Sequence, residues 1–190
     1  ALYWDEFRAG GLVIHPPTTF CIVRGYKDIG FPSDHLVIPL VIENTGKGVK
    51  TLQTPSLRLK EKNSGQEYRF LLTGTIPDLY RVTLDESYQV GFSVHIPENS
   101  VREYYLVFHV QSWWDENKPE YFNFEFTGKQ EWDVSLSYLT NNTVEQTWRS
   151  EDTDVLFTMP IYTTIDRLQY GESYNSDCFS VTYDPAGEGQ

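Results

Sequence analysis

Apolar and polar side chains alternate with a period of two along much of this chain, and helical periodicity is missing almost everywhere, so the pattern predicts an all-β protein. Tyr88, Val90, Phe92, Val94 and Ile96 alternate with Ser87, Gln89, Gly91, Ser93 and His95, as in a strand with one dry and one wet face. Trp132, Val134, Leu136 and Tyr138 do the same against Asp133, Ser135 and Ser137, and Phe122, Phe124 and Phe126 against Tyr121, Asn123 and Glu125. The sealed layer is therefore expected to include Phe92, Leu106, Phe124 and Leu136.

Turns place the remaining strands. Leu36 to Gly46, LVIPLVIENTG, reads as a buried strand running into a turn. Pro39 within it cannot donate a ladder hydrogen bond, which predicts an edge position or a bulge. Leu57 and Leu59 lead through Lys62-Asn63-Ser64-Gly65 into Tyr68, Phe70 and Leu72, a hairpin whose Asn and Gly accept positive φ. Ile96-Pro97-Glu98-Asn99-Ser100 is a further turn, after which Tyr104, Leu106, Phe108 and Val110 resume alternation. The chain holds about ten to twelve strands at the spacing of a sandwich or barrel. Residues 11–112 read as the core of one domain spanning 1–190, 119–183 as added strands and 185–190 as a frayed tail. No Pro-, Gly- or Ser-rich linker divides them.

Composition makes disorder an unsuitable description. With 13 Tyr, 11 Phe and 5 Trp, the chain has ample rings for a core. Its 27 acidic against 15 basic residues give a net charge of -12, a field that repels phosphate backbones and anionic lipid headgroups, so nucleic acid is a poor partner. Cys21 and Cys178 are the two cysteines, either bridged or both small core hydrophobes. A bridge would persist in a secreted or periplasmic setting. The chain opens ALYWDEF without Met, and Leu2, Tyr3, Trp4 and Phe7 suit the headgroup level beside a removed N-terminal anchor, or else a terminal strand packing its rings on the sandwich. No apolar run approaches the ~18 residues of a membrane-spanning helix.

The strand Leu36 to Glu43 ending in Asn44-Thr45-Gly46, Leu57 and Leu59 before a turn, and Val90 to Ile96 with Pro97 before Tyr105-Leu106-Val107-Phe108 resemble the immunoglobulin-like domains of bacterial and archaeal surface proteins. The resemblance spans residues 36–110 and implies an immunoglobulin-like antiparallel β-sandwich, here with additional C-terminal strands. It also implies an accessory, spacer or binding role on a membrane-anchored or secreted protein, without shared catalytic residues. The chain from Glu120 onward has no counterpart in that family.

Candidate chemistry is sparse. Trp113, Trp114 and Asp115, joined by Trp148, would form a stacking platform for sugar rings, whereas their structural role would be to close the end of the core. Glu151, Asp152 and Asp154 place three carboxylates in a predicted loop and invite Ca²⁺, though without EF-hand spacing or a turn glycine. His95 and His109 fall on polar faces, and their rings would meet if their strands were neighbours. Asn141-Asn142-Thr143 fits an N-glycosylation acceptor in a loop. No nucleophile elbow or phosphate-cradling loop occurs. The expectation is a non-catalytic, extracytoplasmic domain that binds or positions another protein or a cell-surface component, with no cofactor. A carbohydrate-binding module using exposed Trp residues is the alternative.

Overall fold

In the computed structural model, residues 11–23, 35–77, 89–110, 130–142, 147–153, 155–161 and 176–180 are described. Every regular element among them is a strand: β1 (Leu12–His15), β2 (Thr19–Val23), β3 (His35–Asn44), β4 (Lys50–Glu61), β5 (Glu67–Ile76), β6 (Gln89–Val90), β7 (Ser93–Ile96), β8 (Ser100–Val110), β9 (Gln130–Asn142), β10 (Thr147–Asp152), β11 (Phe157–Ile161) and β12 (Ser176–Ser180). They form one antiparallel sheet in the order β10-β9-β4-β5-β8-β3-β2-β12, with β1 beside β3, β11 beside β9, β6 beside β5 and β7 beside β4. The C-terminal strands thus extend the same sheet, β9 pairing along β4 and β12 along β2.

The sheet curls until its apolar face closes on itself. Leu36, Ile38, Leu40 and Ile42 of β3, Leu57 and Leu59 of β4, Leu106 and Phe108 of β8, and Trp132, Val134 and Leu136 of β9 share one buried cluster. Phe20 and Phe157 lie on strands far apart in the sheet order, yet their ring centroids are 6.4 Å apart across the core. Tyr68 packs on Trp132 with centroids 5.3 Å apart.

Two bulges adjust which side chains face inward. Leu52 and Leu57 are both buried, although they are five positions apart and strict alternation would send them to opposite faces. The register between β4 and β9 shifts between Gln53 and Ser56, and this extra residue restores the phase. Thr54 adopts φ 46 there, a strained conformation for a β-branched residue, held by its N–H donating to the Phe92 carbonyl at 2.8 Å. On β5 the shift between Leu72 and Gly74 works in the opposite sense. Phe70 and Leu72 face the main core, whereas Ile76 joins Cys21, Val37 and Val107 in a second buried cluster on the outer face.

Two expectations are corrected here. Pro39 is neither at an edge nor at a bulge: β8 pairs with β3 without interruption on one side, and on the other β2 reaches residues 35–37 and β1 residues 41–44. The missing N–H is tolerated where Pro16 and Pro17 divide β1 from β2 and leave the middle of β3 without a ladder partner on that side. The strand expected over Tyr88 to Ile96 is broken at Gly91-Phe92, because β6 pairs with β5 while β7 pairs with β4. Val94 and Ile96 are buried, but Phe92 is 61% exposed and Val90 74%. Leu106 and Leu136 lie in the core as expected. Phe124, the strand around it and the tail 185–190 fall outside the described residues.

The Asn44-Thr45-Gly46 segment has a structural task. Asn44 is fully buried; its Nδ2 donates to the Gly48 and Ile96 carbonyls at 3.0 and 3.1 Å, and its Oδ1 accepts from the Gly46 N–H at 3.0 Å. One amide therefore closes the turn after β3, where Gly48 takes φ 82, and ties that turn to the end of β7. The hairpin turn is fixed in a similar way. The Glu61 carboxylate accepts the Asn63 and Ser64 N–H groups, which lowers its pKa, and Gly65 supplies φ 71.

Cys21 is disulfide-bonded, and the register sets Cys178, the chain's other cysteine, directly opposite it. The bond ties a strand from each end of the described chain.

Two stability predictions follow from these ties. Asn44→Ala should lower unfolding free energy by about 2–4 kcal/mol in urea titrations, since it strands several buried backbone groups; a loss below about 0.5 kcal/mol would contradict the assigned role. Reduction of the disulfide should lower it by up to about 5 kcal/mol, the chain-entropy value for so long a loop. An unchanged urea midpoint after complete reduction would refute this.

Candidate functional site

Because Leu57 and Leu59 point into the core, Ser56, Arg58 and Lys60 of β4 point outward. Arg58 is opposite Arg69 of β5 on one side and Ser135 of β9 on the other, and Ser56 is opposite Ser137. Ser56, Leu57, Arg58, Arg69, Ser135 and Ser137, with Thr153 and Val155 from the link between β10 and β11, line an open cleft of about 380 Å³ on the outer face, and Lys60 lies beside it. The link is pinned to β9: the Leu136 N–H donates to Thr153 Oγ1 at 2.6 Å, the Thr153 N–H to the Leu136 carbonyl at 2.9 Å, and the Leu156 N–H to the Val134 carbonyl at 2.7 Å. Strands form the floor and a tethered segment forms one wall.

Like charges directly opposite one another on paired strands are unfavourable. Arg58 and Arg69 are such a pair. Arg69 Nε donates to Glu67 Oε1 at 3.1 Å, and Lys62 Nζ lies 3.7 Å from both the Glu131 and Asp133 carboxylates. Arg58 makes no ion pair among the described residues. The cleft is thus a locally positive feature on an acidic chain, lined by guanidiniums and hydroxyls. Guanidinium is a planar fork of N–H donors, so its contribution is orientation and charge. Neither His nor a carboxylate is among the described lining residues.

The residues singled out in the sequence lie elsewhere or outside the described set. Trp113, Trp114, Asp115 and Asp154 are not among the described residues. Trp148 belongs to β10, its backbone opposite Asn141. Glu151 and Asp152 lie in β10, opposite Tyr138 and Ser137, so this stretch is a strand where a loop was expected. No group of three or more His, Cys, Asp or Glu residues suited to a metal ion occurs among the described residues. Asn141 is likewise in a strand, and its Oδ1 accepts the Thr51 N–H at 2.8 Å.

The strands of His95 and His109 are not paired, and the two rings do not meet. His95 Nδ1 is 2.9 Å from Thr51 Oγ1, whereas His109 pairs with His35 across β8 and β3, ring centroids 4.0 Å apart. Burial lowers the His109 pKa to about 4. Tyr138 is pushed upward by burial, reinforced by the Glu151 carboxylate.

Neither a protein-family model nor a curated protein nor a solved structure matches this chain. The cleft is therefore read from its own geometry. Its signal was present in the hairpin: counting back from Lys62-Asn63-Ser64-Gly65, with the Glu61 N–H bonded to the Gln66 carbonyl, brings Arg58 opposite Arg69.

The His109 shift carries a signed pH dependence. An unfolded imidazole binds its proton near pH 6.5, and the folded one resists until about pH 4. Stability is therefore full above pH 6.5, falls as pH drops from 6.5 to 4 and levels below, the loss being on the order of 3 kcal/mol. Urea titrations at pH 7.5, 5.5 and 4 should show a shallower pH slope in His109→Asn than in the parent; identical slopes would disprove this.

Proposed function

We propose that this chain is a non-catalytic, extracytoplasmic domain that binds or positions a protein partner, and that the partner docks at the outer face of β5, β4 and β9. The observation that carries this reading is the cleft containing Arg58 and Arg69. It joins a rigid strand floor to side chains whose chemistry is recognition, and it lies on the face opposite the packed core. The disulfide at Cys21 supports an oxidising compartment, where such a bond persists.

Within the same reading, the curled sheet is an immunoglobulin-like sandwich with β3 and β8 facing β4 and β9. The shared apolar cluster of these strands and the Phe20 to Phe157 contact support that closure. Attachment to a membrane is through an N-terminal segment; no helix among the described residues is long and apolar enough to cross one.

A photo-crosslinking amino acid at position 60, beside the cleft, should yield a discrete protein adduct in the native host. The same probe at exposed Val13 should not, and the adduct should disappear when Arg58→Glu and Arg69→Glu are combined. Equal labelling at both positions, or none at 60, would rule out a docking face here.

A further inference from the structure

We infer that the Arg58–Arg69 cleft is a carboxylate-binding site that takes an acidic side chain from a peptide segment of the partner. This deepens the partner-binding reading and rests on it. Arg58 and Arg69 are direct register partners on one antiparallel pair, an unfavourable placement of like charges that an anion between them converts into an attractive one. The local charge selects the kind of anion. Arg69 is already bonded to Glu67, so among the described residues the pair has about one unneutralised positive charge, and Asp133 lies on the neighbouring β9 with Lys62 and Thr158 as its partners. A singly charged carboxylate matches that excess. A doubly charged phosphate ester would leave surplus negative charge beside Glu67.

The geometry suits a planar acceptor. Arg58 can present a fork of parallel N–H donors, the arrangement that grips both oxygens of a carboxylate. The hydroxyls of Ser56 and Ser137, opposite each other one step along the strands, can serve a second polar group, such as a peptide carbonyl. The cleft, at about 380 Å³, has room for an acidic side chain together with adjoining backbone. Asp152 occupies the register position opposite Ser137.

The test uses the whole isotope-labelled chain titrated with a blocked tetraglutamate peptide, its tetraglutamine counterpart and sodium sulfate, read by amide chemical shifts. The glutamate peptide should saturate shifts centred on Arg58, Arg69 and Ser135, with the glutamine peptide binding at least about tenfold more weakly. Arg58→Gln should weaken the glutamate peptide about tenfold while leaving amides of β3 and β8 unshifted, and Arg58→Lys should restore only part of the affinity. No response to the glutamate peptide, shifts scattered over the surface, or saturation by sulfate without peptide binding would each overturn the assignment. If the crosslinked adduct at position 60 persists while the peptide fails to bind, the carboxylate chemistry is wrong and the docking face stands.

Discussion

The structure depends on keeping one set of apolar side chains in phase across strands that change neighbours. A β-strand offers its side chains to alternate faces, so any slip by a single residue sends a whole half-strand to the wrong side. Here β4 leaves β7 for β5 midway, and β5 exchanges β4 for β6. The extra residue at Thr54-Pro55 restores the inward phase of Leu57 and Leu59, and the shift at Thr73 releases Ile76 outward to cover the disulfide cluster. Hydrophobic burial, at roughly 25 cal/mol per Å², supplies the stabilisation that offsets a strained Thr54.

The same device sets up the outer face. With the inward phase restored, Ser56, Arg58 and Lys60 project outward beside Arg69, Ser135 and Ser137. Had β4 run straight through, Leu57 and Leu59 would occupy those outward positions. Core packing and cleft are therefore two results of one irregularity, and neither can be altered without the other.

Much of this architecture was legible in the residues and some was not, for identifiable reasons. Period-two alternation located β9 and most of β8, and the Asn63-Gly65 turn located the β4–β5 hairpin, because local pattern and tertiary pairing agree there. Phe92 was misplaced because alternation cannot reveal that a segment divides between two partners. Pro39 was misread because the break in the facing strand comes from Pro16 and Pro17, more than twenty residues earlier in the chain. The pairing of His109 with His35 was not legible because register, not composition, decides which imidazoles meet. The arginine pair needed only hairpin counting, but isolated arginines in alternating strands look like ordinary wet-face residues.

The bond at Cys21 has a mechanical consequence. It lies where β2 and β12, from opposite ends of the described chain, run side by side. Tension applied through the flanking segments would pass from one strand to the other through a covalent tie. The intervening sheet, with its cleft, would be spared the pull, so the domain would carry force between its two ends without being unravelled by it.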